Sequence, residues 1–331
     1  MLKLAYEPVF MVDSSAYRSA DFQGFPIVPV SAPFLSIPAE WLAVRRVVAG
    51  AALFHSPSFA SFPGLSVPYV VTLHDLNHLQ YGGWLKGVYY RSVLKPFLRG
   101  ALEVACVSKF STAELAQWMG WRPEQIPLIE NAIDPVFASR PTPESIAASA
   151  GKHSVGPGGY FLCVTNAKPH KRLDFLIRAH AEYRQGGGRL PLVTNVAGAA
   201  SDGLTRLGTL SASDLLNLMA GACAVLFPSA YEGFGLPPVE AAVLGVPVVV
   251  SEIPPHREAL RCFSTDEISW QTVDDTGGWV TAMQKAEAGG LPTPSPGGGR
   301  KTLETFSPLT LARHTDALYT RALTRLLPRN T

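Results

Sequence analysis

From Tyr160 to Ser251 short apolar runs take turns with helical segments: YFLCVTN, a helix from Lys171 to about Arg184, PLVTNVAG, SASDLLNLMAG, CAVLFPS, PPVEAAVLG and PVVVS. Runs this short and this apolar read as strands buried on both faces. Strands that alternate with helices pair in parallel, because each return along the sheet needs a crossover. This part of the chain is thereby restricted to an α/β domain. The earlier part carries a thinner version of the pattern. EWLAVRRVVAG has a helical period, while PYVVTLHD, LEVACVS and IPLIENAID read as strands that end in polar loops. Ser111 and Glu114 in STAELAQWMG have the spacing of a capping box. Residues 138–158 are small, polar and rich in proline and glycine, and read as a linker. GGLPTPSPGGGR, at 289–300, is a second such stretch ahead of a last helix from about Ser307 to Leu327.

With 331 residues, 47% hydrophobic and 16% charged, the chain has material for two cores. A net charge of +2 gives no reason to expect a nucleic acid partner. Cys106, Cys163, Cys223 and Cys262 lie far apart, three of them within apolar runs, without a C-x-x-C pair. They read as thiols of a reducing compartment, neither a zinc site nor a disulfide framework. No apolar run approaches the roughly 18 residues of a membrane span. The expectation is a cytoplasmic protein.

In open α/β sheets ligands bind beyond the carboxyl ends of the strands, so the turns there are the places to look. After YFLCV comes TNAKPHKRLD, in which Lys171 opens a helix whose free N–H groups already favour an anion. Taken alone, it reads either as an anion ligand or as an exposed lysine at a helix start. After CAVLFPS comes AYEGFGLPPVE. Gly233 and Gly235 let backbone approach a ligand, and Pro237 and Pro238 suit a first helical turn. Glu240 falls in that turn, able to accept hydrogen bonds from a ribose diol, and Glu232 sits across the loop where a sugar's hydroxyls can reach it. A capping glutamate and a surface glutamate are the plain alternative. It leaves unexplained why both flank a glycine-rich turn after a buried strand. A dehydrogenase or epimerase reading lacks its G-x-G-x-x-G after an early strand.

The stretch from Leu210 to Leu260, with FPSAYEGFGLPPVEAAVLGVPVVVSEIPPHREAL, resembles the nucleotide-sugar site of retaining glycosyltransferases of family 4, including its pair of glutamates eight positions apart. NAKPHKRLDFLIRAH resembles the same family's second donor motif, and VVTLHDL, VSKFSTAEL and IENAID resemble segments of its N-terminal domain. The likeness implies a GT-B fold: two Rossmann-like doubly wound α/β domains, at 1–145 on the acceptor side and 146–305 on the donor side. Residues 306–331 would form a helix packing back toward the first domain. It assigns Glu240 to the donor ribose and Glu232 to the transferred sugar. Gly233, Phe234, Gly235 and Leu236 would present backbone to sugar and phosphate. Lys171 would bind the diphosphate, and His74 would face the cleft from the acceptor side. Asn166 stands where many relatives carry arginine, and Ala132 where glycine is usual. Because Asn166 brings no positive charge, the expectation is either that Lys168 or Arg172 shares the neutralisation or that the diphosphate is held less tightly.

The implied activity is retaining, metal-independent transfer of a hexose, mannose or glucose, from a nucleoside diphosphate sugar to a hydroxyl acceptor in glycan or polysaccharide synthesis, with no cofactor. An inert nucleotide-sugar-binding protein is the alternative. In 84–100, Arg91, Lys95 and Arg99 recur beside Trp84, Tyr89 and Tyr90, with Pro96 as a kink. That segment reads as a peripheral contact with the inner face of a membrane, and hence a lipid-linked glycan acceptor, or as a solvated helix with a core-facing aromatic side. Asp274 and Asp275 read as solvated. Family members open with a strand, a glycine-rich turn and a long helix. MLKLAYEPVFMVDSSAYRSADFQGFP shows no such turn or helical period, so the first strand and first helix are expected to be missing, either because the N-terminal domain is shortened or because it starts upstream.

Overall fold

A computed structural model describes residues 7–13, 25–30 and 38–326. The described strands are β1 (Phe10–Asp13), β2 (Ile27–Val30), β3 (Phe54–Ser56), β4 (Tyr69–Leu73), β5 (Glu103–Cys106), β6 (Phe161–Cys163), β7 (Leu192–Thr194), β8 (Leu204–Arg206), β9 (Ala224–Phe227), β10 (Val248–Ser251) and β11 (Ser269–Gln271). All pair in parallel: β1 with β2, then a sheet of order β3-β4-β5, then one of order β11-β10-β9-β6-β7-β8.

The larger sheet is buried on both faces, as its unbroken apolar runs require. Leu162, Val225, Phe227, Val248 and Val250 point into one core, and Phe161, Cys163, Leu226 and Val249 into the other. The chain enters at β6, winds outward through β7 and β8, then returns to the opposite side of β6 as β9. The direction of winding therefore reverses between β6 and β9, and their carboxyl ends open a crevice there. The smaller sheet has Val71, Leu73, Val104 and Cys106 on one face, packed with Leu94, Leu98 and Leu115. Its other face, Val70 and Ala105, is covered by Leu318 and Ala322 of the last helix, Pro308–Thr324. Arg321 and Arg325 fasten that helix to the buried Glu103. The chain thus passes between the two sheets twice, and the passages touch: Ile133 N donates to Phe306 O at 2.8 Å.

Several local expectations change. IPLIENAID shortens to one parallel bridge, Leu128 to Cys106, because Pro127 has no N–H to donate and the chain departs at once for the second domain. The helix Lys109–Met119 starts earlier than the capping-box spacing implies. Its cap is Ser108, which accepts from Ser111 N at 3.0 Å. The linker region contains the helix Pro143–Lys152, whose Ile146 and Ala150 join the core around Leu162. The stretch at 289–300 contains the start of another helix, Pro296–Thr305, capped by Ser295. Asp275 caps the helix Thr276–Glu287, and Asp274 pairs with Arg172, so neither is merely solvated. The opening turn and helix expected to be missing would fall on 14–24, outside the described residues, whereas a first strand, also expected to be missing, is present as β1, because FMVD pairs in parallel with IVPV.

Residues 83–100 run as Gly83–Tyr89, a π-helical turn Tyr90–Leu94, and Lys95–Gly100. The π turn breaks the four-residue spacing of the basic side chains, and Lys95 points inward to donate to Trp118 O at 2.6 Å. Tyr90 is buried, whereas Trp84 is 76% and Leu85 66% exposed. Among the described residues no helix is long and apolar enough to cross a membrane.

Candidate active site

The crevice between β6 and β9 brings the two sequence motifs together. The loop after β6 makes an Asx turn, Lys168 N donating to Asn166 Oδ1 at 3.2 Å, then a 3-10 turn Pro169–Lys171 that delivers Lys171 ahead of the helix Leu173–Gln185. Lys171 is thus at the end of the turn preceding the helix. The loop after β9 carries Glu232, and Lys171 Nζ lies 2.6 Å from both of its carboxylate oxygens. Ser229 Oγ donates to the same carboxylate at 2.7 Å. Burial alone would raise the Glu232 carboxyl, but Lys171 and the Ser229 hydroxyl, together with the nearby His256, hold it below the usual range. The pair is only partly covered, with side-chain exposures of 20% for Lys171 and 14% for Glu232.

Gly235 follows at φ +96, and the helix Leu236–Val243 begins there. A Cβ on Gly235 would stand 2.8 Å from His256 Cδ2, so glycine is required by conformation and by space. His256 is fully buried. Its Nδ1 donates to Ser251 O at 2.8 Å, and burial lowers its pKa against the opposing pull of Glu232. Pro237 and Pro238 lack N–H groups, which leaves this helix start with few unpaired donors. Phe234 is buried against Phe306 at a centroid distance of 5.2 Å, so it presents backbone rather than side chain.

Glu240 lies one turn along the helix. Among the described residues no hydrogen bond or ion pair engages its carboxyl, and burial first, then the charge of Asp134, raises its pKa to about 7. Asn166 and Lys168 are exposed at the crevice edge. Arg172 is held by Asp274, whereas Lys168 has no ion pair among the described residues and is the freer of the two to join Lys171.

The smaller domain meets this loop directly. His74 follows β4, its ring exposed and its Nε2 donating to Pro57 O at 3.0 Å. A carbonyl acceptor forces the proton onto Nε2, so in the neutral ring Nδ1 carries the lone pair. The His74 carbonyl would be 2.3 Å from a Cβ on Gly233, which is why the loop needs glycine there. Four contacts that the motifs did not point to also stand at this boundary. Tyr231 O–H donates to Glu114, Ser108 Oγ donates to Gly233 O at 2.5 Å, and Glu258 accepts from Lys109 N at 2.6 Å. Arg261 makes a two-pronged ion pair with Glu130 at 2.8 and 2.9 Å. Their sequence separations exceed 100 residues, so local spacing carries no trace of them.

The family model described as Glycosyltransferase Family 4 matches residues 9–137, and that described as Glycosyl transferases group 1 matches residues 151–268. The chain is 25% identical over 264 residues to the O-antigen chain mannosyltransferase RfbU of Salmonella typhimurium, covering 75% of this chain and 69% of that one. It is 28% identical over 222 residues to O-antigen chain mannosyltransferase B of Escherichia coli, where the match spans 61% of this chain and 57% of the relative. Among solved structures, Anabaena Alr3699/HepE in complex with UDP-glucose superposes with a TM-score of 0.73 at 18% identity, covering 89% of this chain and 86% of that one. The sucrose-phosphate synthase of Thermosynechococcus elongatus gives 0.69 at 17% identity, covering 92% and 82%. With two parallel-sheet domains facing one crevice and family matches along both, the chain belongs to the group 1 glycosyltransferases of GT-B fold.

Proposed function

We propose that the protein transfers a hexose, mannose or glucose, from a nucleoside diphosphate sugar to a hydroxyl of a glycan acceptor, with retention of configuration and without a metal ion. The observation that carries this reading is the meeting of Lys171 and Glu232 at the reversal of the larger sheet, beside the start of the helix bearing Glu240. Glu240 accepts the ribose hydroxyls, Glu232 the hydroxyls of the sugar, and Lys171 exchanges its carboxylate partner for the diphosphate, with Lys168 and Asn166 at the edge. The N–H groups of Gly233 to Leu236 face sugar and phosphate. As the bond from the anomeric carbon to phosphate oxygen breaks, charge grows on that oxygen, and Lys171 stabilises it. The acceptor oxygen bonds to the same face of the anomeric carbon and its proton passes to the leaving phosphate. His74 orients the acceptor hydroxyl through Nδ1. The domains divide near residue 145, with the last helix returning to the first.

The names of the relatives support a sugar donor and a glycan acceptor; a catalytically inert binder is not favoured. A thermal-shift panel of nucleotide sugars, UDP-glucose and GDP-mannose included, followed by hydrolysis of the stabilising donor, tests the reading. Binding without transfer or hydrolysis would leave only the inert binder. Activity is expected to survive EDTA, and magnesium-reversible loss would overturn metal independence. The exposed Tyr81, Trp84, Leu85 and Val88, beside Lys86 and Arg91, support a peripheral membrane contact. Failure to sediment with anionic liposomes at low salt removes it.

A further inference from the structure

Glu232 stands between two residues that are both tied to the opposite domain. On one side, the Tyr231 hydroxyl accepts from Leu76 N at 3.0 Å and donates to the Glu114 carboxylate. On the other side, the Gly233 carbonyl accepts from Ser108 Oγ at 2.5 Å and Ser111 Oγ at 3.2 Å. The Tyr231 ring is buried, edge-on to Phe110 at 5.7 Å, and Glu114 is steadied by Gln80 Nε2 at 3.2 Å. Farther along, Glu258 of the donor domain accepts from the N–H groups of Lys109 and Phe110 at 2.6 and 3.2 Å, at the start of the helix that carries Glu114. Apart from the Gln80–Glu114 bond, each of these bonds crosses between domains.

We infer that Glu114, with Ser108, acts from the acceptor-side domain as a positioning residue: through Tyr231 and Gly233 it sets the place of Glu232, so that the sugar-binding carboxylate is aligned only while the domains are clasped. This rests on the sugar-contact reading of Glu232. The physical reason is that backbone fixed on both sides of a residue leaves its side chain little room, whereas a misplacement of about 1 Å can cost about 100-fold in rate. Glu240 lies beyond the second tether, on a helix packed within its own domain. Nucleotide binding is therefore independent of the clasp, while sugar transfer is not.

The test measures UDP and GDP affinity and, with UDP-glucose and GDP-mannose in parallel, kcat for wild type, Tyr231→Phe, Glu114→Gln and Glu114→Ala. The expected result is a kcat lowered about 10-fold or more by Tyr231→Phe and Glu114→Ala, with nucleotide Kd within about twofold of wild type. Glu114→Gln, whose amide oxygen still accepts from Tyr231, recovers part of the loss. The double variant Tyr231→Phe/Glu114→Ala falls little below either single one, since both break the same contact. If Glu114→Ala melts early, Tyr231→Phe and Glu114→Gln, which keep the packing, still decide. Wild-type kcat in Tyr231→Phe, or equal losses of kcat and nucleotide affinity, would overturn the clasp. A wild-type protein that binds none of these donors overturns the donor-site reading instead.

Discussion

Glu240 holds a half-buried carboxyl without a counter-charge, and its pKa of about 7 makes its charge depend on pH where the protein would work. The raised value means that its neutral form favours folding: this contribution is full below the ordinary carboxylate range and is lost as pH rises through about 7. A ribose diol needs the opposite form, because a carboxylate accepts two hydroxyl bonds and a carboxylic acid does not. UDP affinity is therefore expected to rise from pH 6 to 8. Calorimetry at pH 6 in two buffers of different ionisation enthalpy should show a proton released by wild type in excess of that released by Glu240→Gln. Lys171→Ala and Glu240→Ala are each expected to lower turnover about 100-fold, the equivalent of roughly 3 kcal/mol for one preorganised contact. Glu232→Ala should blur discrimination between donor epimers while nucleotide affinity holds, which competition between UDP-glucose and UDP-galactose would measure.

At the scale of elements, the helix Pro296–Thr305 is a case where composition misleads. Gly298 lies where a Cβ would be 2.4 Å from the Phe263 ring, so glycine there serves close packing, not a turn. Gly298→Ala is expected to destabilise the protein by about 1–3 kcal/mol despite alanine's better helix propensity, read as a lower denaturation midpoint in urea. The same tension governs what could be seen beforehand. The central strands β6, β9 and β10 announced themselves as apolar runs because both their faces are covered. The edge strands β8 and β11, LTR and SWQ, did not, since half-buried positions carry no such run. The glycine-flanked glutamates and Lys171 were legible because each belongs to one loop with a local signature. Tyr231, Glu114, Ser108 and Glu258 were not, because their chemistry arises only when distant segments meet.

Across the whole molecule, the last helix is bound to the first domain by more than apolar contact. The His55 ring links Tyr319 Oη, at 2.7 Å, to Thr72 Oγ1, at 2.8 Å, and so joins the helix to β4. Burial, with the nearby His74, lowers the His55 pKa to about 4 from its ordinary 6.5. The neutral ring thus contributes stability that is full above pH 6.5 and is lost as pH falls toward about 4. Thermal melts between pH 7 and 4 should fall more steeply for wild type than for His55→Gln, which cannot take up the proton.

The two passages of the chain between domains touch where Ile133 meets Phe306, which is where a rotation of one domain against the other would find its axis. Arg261 lies over the Phe306 ring, so its ion pair with Glu130 sits close to that axis. Rotation about a pin displaces nearby groups little and distant ones much. The Arg261–Glu130 pair would therefore persist in an open state, while the contacts of Tyr231 and Gly233 part. A chain cut within 139–142 would still leave two pieces pinned by the returning helix, and halves co-expressed as 1–140 and 141–331 should purify together.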